Sequence, residues 1–469
     1  MSETLKKPVE KLSLFHLTWP IFLEVFLFML MGLADTFMLS AVSDDAVSGV
    51  GTANQYIHIA ILILEVVGNG AAIVVSQYLG SRRYFEAAKI SALAVTLNLC
   101  VGLVMSVVFI LSSNRLMEMM NLQGAVLEHA QSYLIIVGGG IFLQAIINSL
   151  AAIIRVHGWT KQTMYVSLGM NVFHVAANYV LIFGNFGAPE LGVQGAAISS
   201  VVSRLLAMFV FLWLLYQALE IKIKFEYYIT FSKDYVKKIL AIGIPSALEQ
   251  ILYQLCQIIF LYYVTYLGAE ALAARQYANN ISMFTYLFAL AIGIGTSIIT
   301  GRFVGSGEKD AAYKQLWFSV KAALIVTTVV ATLVTIFRVP LMGLFTDNPE
   351  VIKFGVSVLL LSLLLETGRT INITVINSLR ASGDARFPVK IGFLSMVCMS
   401  VPLGYLLVFV FDLGLVGVWL AITADEWTRA IVMLFRWKSR KWEQHALVSP
   451  PSPEEDKIEI EFKETPALP

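Results

Sequence analysis

Charge is what this chain lacks. Only 14% of its 469 residues are Asp, Glu, Lys or Arg, against about a quarter in an ordinary soluble domain. So little charge cannot solvate a large soluble surface. The net charge of +1 offers no basic field for a polyanion, so no nucleic-acid partner is expected. Cysteine is scarce as well. Cys100, Cys256 and Cys398 are the three, each inside an apolar run and none in a CxxC pair. They read as small core residues, not as a metal or redox site. No His, Cys and Asp residues cluster at metal-ligand spacing, no nucleophile motif occurs, and no Gly-rich loop leads into a Lys-Ser or Lys-Thr pair. An enzyme and a nucleotide-driven pump are therefore disfavoured. No cofactor is expected, and an ion gradient is the expected energy source.

Apolar length is what the chain has. It is 58% hydrophobic, with mean hydropathy +0.75, and one apolar run of about twenty residues follows another, the length that crosses a bilayer. The pattern predicts an all-α polytopic membrane protein with spans at 14–40, 52–79, 88–111, 127–151, 163–184, 193–218, 238–267, 276–303, 313–337, 352–378, 389–411 and 415–436. The first run is full length and no small-residue cleavage motif follows it, so it reads as a span and not a signal peptide. With the N-terminus placed inside, 25 of the 33 Lys and Arg residues fall in inner segments and 4 in outer loops. By the positive-inside rule both termini are expected to be cytoplasmic, in a plasma-membrane protein.

The second half repeats the first at an offset of 225. Pro20, Leu23 and Glu24 match Pro245, Leu248 and Glu249. Asn54 matches Asn279, and Gly70 matches Gly295. Gly80-Ser81 matches Gly305-Ser306, and Arg155 and Gly158 match Arg380 and Gly383. Six spans per half put both repeats in the same orientation, a recurring transporter plan with the substrate site between the halves. The expected parts are an N-lobe (1–219), a basic cytoplasmic connector (220–237), a C-lobe (238–437) and a cytoplasmic, disordered tail (438–469) that is Pro- and Glu-rich from Ser449 onward. The connector is amphipathic and is expected to lie along the inner membrane surface.

Carboxylates inside apolar runs are costly and mark functional sites by default. Glu24 and Asp35 share one face of the first span, eleven residues and roughly 16 Å apart. Glu24 lies nearer the inner end. Asp35 lies deeper, with no basic residue within a helical turn. Asn171, His174 and Asn178 fall on one face of the fifth span, where they can hydrogen-bond an acid across the lobe. Glu24, Asp35 and Glu65 have Arg204 and His174 as the candidate intramembrane bases, and a satisfied core histidine is the plainer reading of His174. In the second half, Glu366, Arg369 and Asn372 share a face of the tenth span, and Asp425, Glu426 and Arg429 share one on the twelfth. These spacings pair opposite charges, which reads as an ion-pair network that locks the lobe. Glu249 has no partner near it in sequence; Arg369 is the candidate. Tyr253 and neighbouring aromatics are able to hold organic cations, although most aromatics pack or anchor.

The Pro20–Asp35 stretch, VVSQYLGSRR (Val74–Arg83) with its copy ITGRFVGSGE, NYVLIFGNFGAPELGVQGAAIS (Asn178–Ser199) and SLRASGDARFPV (Ser378–Val389) together resemble the multidrug and toxic compound extrusion (MATE) transporters over residues 12–437. The resemblance implies two six-helix bundles around a central cleft, a monomer in the bilayer, and export of bulky, often cationic molecules against H⁺ or Na⁺. Asp35 matches the family's first-helix coupling acid. Asn178 matches a fifth-helix position that is Asn in the NorM-like branch and Asp in the DinF-like branch. The chain also departs from the pattern. His174 stands where Asn is expected, and Tyr253 and Arg369 stand where the NorM-like branch has acids, so the family's second-lobe Na⁺ site is not carried over. A lipid-linked sugar flippase of related fold is the alternative. It would be expected to carry several unpaired cleft arginines for pyrophosphate, whereas Arg204 alone lacks a sequence-near acid. A major-facilitator plan fits less well, because GSRRYFEAAK lacks that family's loop signature.

Overall fold

Inside a bilayer every backbone polar group must find its partner within the protein, and a helix does this locally. The computed structural model describes residues 12–219 and 223–450, which form helices with no strand among them. The long helices are α1 (Leu14–Ser40), α2 (Asp44–Gly80), α3 (Tyr84–Met119), α4 (Gly124–Gly138 with Ile141–Val156), α5 (Thr160–Phe183), α6 (Gly192–Ala218), α7 (Lys233–Thr265), α8 (Ala269–Gly305), α9 (Lys309–Ile336), α10 (Pro349–Ala381), α11 (Arg386–Val410) and α12 (Gly414–Lys438). They follow the twelve expected spans segment by segment, several running some residues further. By length and apolarity 10 of them can cross a membrane, and α4 makes 11 if its halves, bent by 47°, are one span. The bend falls at Gly138-Gly139-Gly140, where a side chain on Gly138 would meet Phe109 and one on Gly140 would meet Val201. α12 misses on apolarity because Asp425, Glu426 and Arg429 lie within it. The bundle interior has to satisfy them.

Burial follows the membrane pattern. Small and polar residues such as Ser91, Asn98, Ser149 and Ser203 are buried, while Phe37, Leu111, Trp213 and Ile325 are more than half exposed on the outer faces. Small residues let backbones approach, and buried amides and hydroxyls tie helices together. Asn98 Nδ2, for example, donates to Ala145 O and to Ser149 Oγ at 2.8 Å each, fixing α3 to α4.

The chain forms two compact units. One holds Trp19–Leu79 and Arg83–Gly243; the other holds the described residues up to Thr18, Gly80–Arg82 and those from Ile244 onward. The divisions fall inside α1 and α7, just before Pro20 and Pro245, and not in the connector. In the second unit the first turns of α1 pack on α8, where a side chain on Gly295 would meet Thr18, Leu14 and Leu17. In the first unit the first turns of α7 pack on α2, where Gly70 faces Ile239 and Gly243. At an offset of 225 Leu14 becomes Ile239, Thr18 becomes Gly243 and Gly70 becomes Gly295. The same helix crossing is therefore built twice.

In the described part of the connector, Phe225–Ile229 is a short helix held on α3 by Thr96 Oγ1, which donates to Tyr228 O at 2.8 Å. Phe225 and Ile229 on it, and Phe231 just after it, are exposed. The chain after α12, expected to be tail, is structured through Val448. Trp442 is fully buried and stacks on Trp437 with ring centroids 4.2 Å apart. Arg440 pairs with Asp310 at 2.6 Å, and Arg436 pairs with Asp384 at 2.8 Å. Charge pairing and a buried indole outweigh the polar composition of that stretch. The remainder of the expected tail, 451–469, lies outside the described residues.

Candidate coupling site and charge network

Asp35 is buried on α1 at 8% exposure, and His174 and Asn178, one turn apart on α5, are fully buried. Both reach the same carboxylate oxygen. His174 Nε2 lies 2.6 Å from Asp35 Oδ1, and Asn178 Nδ2 donates to Oδ1 at 2.6 Å. Ser199 on α6 fixes the histidine from behind: its Oγ donates to His174 O at 3.0 Å and lies 3.4 Å from Nδ1. The imidazole is thus set between a carboxylate and a hydroxyl, and the carboxylate's partner determines which nitrogen carries the proton. Asn178 Oδ1 is buried with no partner among the described residues. Asn171 does not join the site; its amide donates to Ser167 O at 2.8 Å.

Glu24 is a different kind of acid. It is paired with Arg155 at 3.1 Å and accepts from Thr163 Oγ1 at 3.1 Å. For Glu24 this corrects the expectation that Arg204 and His174 were the candidate bases, while His174 does meet Asp35: Arg155, counted with an inner segment, reaches in from the end of α4. A long, flexible side chain lets a helix-end cation serve a carboxylate below it.

The second unit repeats the pair. Glu249 is ion-paired with Arg380, and Arg429 lies 3.9 Å away. Arg369, the expected partner, is engaged elsewhere: it binds Glu366 at 2.6 Å and approaches Glu426 at 3.6 Å. Arg429 binds Asp425 at 2.9 Å and Glu426 at 3.2 Å, Asn372 Nδ2 donates to Glu426 at 2.8 Å, and Ser395 Oγ donates to Asp425. The four carboxylates Glu249, Glu366, Asp425 and Glu426 thus meet the three guanidiniums of Arg369, Arg380 and Arg429. With all of them ionised, the network carries one excess negative charge. Beside it lies a pocket of about 390 Å³, its open mouth included, lined by Glu249, Tyr253, Phe260, Asp425, Glu426 and Arg429 among others. Aromatic residues and carboxylates line it together.

The MatE family model matches residues 20–180 and 245–406, once on each half. This chain belongs to the MatE family. The two matched blocks begin at Pro20 and Pro245, the same offset that relates the repeats. Among similar proteins, the "uncharacterized transporter YisQ" of Bacillus subtilis is 41% identical over 95% of this chain and 98% of its own length. The "probable multidrug resistance protein NorM" of Thermotoga maritima is 27% identical over 94% and 95%. A solved structure described as the outward-facing conformation of a multidrug resistance MATE family transporter matches with TM-score 0.83 and 20% identity, over 91% of this chain and 95% of that one, which shows a shared fold. As a MatE protein the chain is a multi-pass membrane transporter, not an enzyme.

Within this MatE chain, helix periodicity groups Asn171, His174 and Asn178 on α5, and Asp425, Glu426 and Arg429 on α12. The pairing partners Arg155 and Arg380 and the supporting hydroxyls Thr163, Ser199 and Ser395 escaped it. A signal for the arginines was present: Glu24 and Arg155 shift by 225 onto Glu249 and Arg380, so each predicts the other pair.

Proposed function

We propose that this MatE protein exports amphiphilic, often cationic small molecules in exchange for protons, with Asp35 as the group that carries the coupling ion. One observation carries the reading: a buried carboxylate whose Oδ1 is held at 2.6 Å by a titratable imidazole and at 2.6 Å by an amide. The groups converging on that oxygen offer N–H donors, whereas a hard metal cation needs several oxygen ligands. A proton needs only a carboxylate and a relay. The names of relatives such as NorM of Thermotoga maritima support drug export. The carboxylates and aromatic residues that line the second-unit pocket support a preference for cations. In this reading Glu249, Tyr253, Asp425 and Glu426 contact substrate, while Glu366–Arg369, Asn372 and Arg429 hold the lobe together. The protein works as a monomer in the plasma membrane with both termini cytoplasmic.

Na⁺ coupling is the second reading, favoured by the unpartnered Asn178 Oδ1 beside Asp35. Efflux of ethidium from vesicles under an imposed pH gradient or an imposed Na⁺ gradient separates the two. The first should drive efflux and the second should not. Asp35→Asn keeps size and removes the titratable charge, so at equal expression it should reduce gradient-driven efflux to background. Undiminished efflux in that variant would remove Asp35 from the mechanism.

A further inference from the structure

Arg204 on α6 is buried at 8% exposure, and its Nε and Nη1 are fully enclosed without a hydrogen-bond partner. Among the described residues it forms no ion pair. A buried guanidinium left this way is costly, since the desolvation of each N–H goes uncompensated. Its electrostatic neighbours are Tyr133 on α4 and Asp35 on α1. Tyr133 is itself buried and joins the cluster through Ser200, one helical turn before Arg204, and Asn54 on α2. The unit that holds the Asp35 carboxylate thus holds a guanidinium with two nitrogens left without a hydrogen bond. Nothing in the proposed coupling chemistry uses it so far.

We infer that Arg204 is the positioning residue that empties Asp35: it competes with the coupling ion for the Asp35 carboxylate and so permits the ion to leave. The inference rests on the reading of Asp35 given above. Asp35 has two groups in contact and one cation within electrostatic range. His174 and Asn178 hold it in this structure, and Arg204 keeps Nε and Nη1 without a hydrogen-bond partner among the described residues. When Asp35 is loaded with a cation, its charge is cancelled and Arg204 stands alone. When the ion departs, the bare carboxylate is stabilised by the guanidinium. A transporter needs this second state to be accessible, because an acid alone in an apolar interior holds its ion too tightly to turn over. Asp35 is faced by His174 and Asn178 from α5, with Ser199 of α6 behind the histidine, and Arg204 by Tyr133 from α4, which Ser200 of α6 and the neutral Asn54 of α2 adjoin. Of these, Arg204 is the permanent cation.

The sign follows directly. Removing a nearby positive charge favours the neutral acid, so the pH at which Asp35 is half protonated rises. The experiment is pH-difference infrared spectroscopy of the purified full-length protein. The carboxylic acid carbonyl band lost in Asp35→Asn identifies Asp35. In Arg204→Gln the midpoint of that band should move to higher pH by about one unit, a tenfold gain in proton affinity, while ethidium efflux falls. Arg204→Lys keeps the charge and should keep the wild-type midpoint. A purely structural arginine would lower efflux and leave the midpoint in place, and an unmoved midpoint in Arg204→Gln overturns the inference. Should Arg204→Gln fail to accumulate, the double variant Asp35→Asn with Arg204→Gln decides. Recovered accumulation supports a coupled pair; continued loss overturns it. Intact efflux in Asp35→Asn would defeat the coupling-site reading instead, so the two failures are told apart.

Discussion

A carboxylate in this protein is defined by its company. Glu24, Glu249, Glu366, Asp425 and Glu426 each stand against an arginine, whereas Asp35 has an imidazole and an amide. An arginine partner keeps its charge, because guanidinium does not titrate in the working range. In the function proposed above, that difference in company separates locking from coupling. If Glu366–Arg369 locks the second unit, Arg369→Ala should cost about 3–5 kcal/mol by stranding a buried carboxylate. Thermal unfolding of the purified variant should show the loss. Glu366→Gln with Arg369→Met should regain much of it and restore efflux. A double variant that is stable yet transport-dead would reassign the pair to coupling.

Helix ends and crossings carry the next level of organisation. Gly70 and Gly295 are glycines because a neighbouring helix occupies the place of a side chain. Their partners, the first turns of α7 and α1, end at Pro245 and Pro20, where the missing N–H releases a helix hydrogen bond. The turn after α12 is a second device at this scale. Trp442 Nε1 donates to Trp437 O at 3.0 Å beneath the stacked rings, and the ion pairs of Arg436 and Arg440 fasten the same segment to Asp384 and Asp310. Trp442→Ala should therefore destabilise the second unit by about 3–5 kcal/mol, as loss of a buried aromatic does elsewhere. A melting temperature equal to wild type would mean that the segment merely rests on the surface.

At the scale of the whole molecule the basic residues make the claim. Twenty-five of 33 lie in the segments assigned to one side, a bias strong enough to orient a polytopic chain. With Cys100, Cys256 and Cys398 replaced by alanine, Lys233→Cys should resist an impermeant thiol reagent added to intact cells and react once the membrane is opened. Reaction from outside would invert the proposed topology and, with it, the assignment of inner and outer ends.

The sequence by itself determined the helices, their number and the duplication. Apolar length, positive charge and the 225-residue offset are one-dimensional quantities that need no knowledge of neighbours. It also determined which residues share a helix face, because 100° per residue is a local rule; Asp425, Glu426 and Arg429 were legible in that way. Tertiary structure decided the partners. Arg155 reaches Glu24 and Arg380 reaches Glu249 from the ends of other helices, so spacing along one helix passed over them and favoured Arg369. Asn171 fits the α5 stripe but turns to the carbonyl of Ser167, since a buried amide takes the nearest satisfied geometry. That Nε and Nη1 of Arg204 lie buried without a hydrogen-bond partner among the described residues is likewise a fact about packing. Whether a buried charge is paired depends on what the neighbouring helices bring within about 4 Å, and no periodicity encodes that.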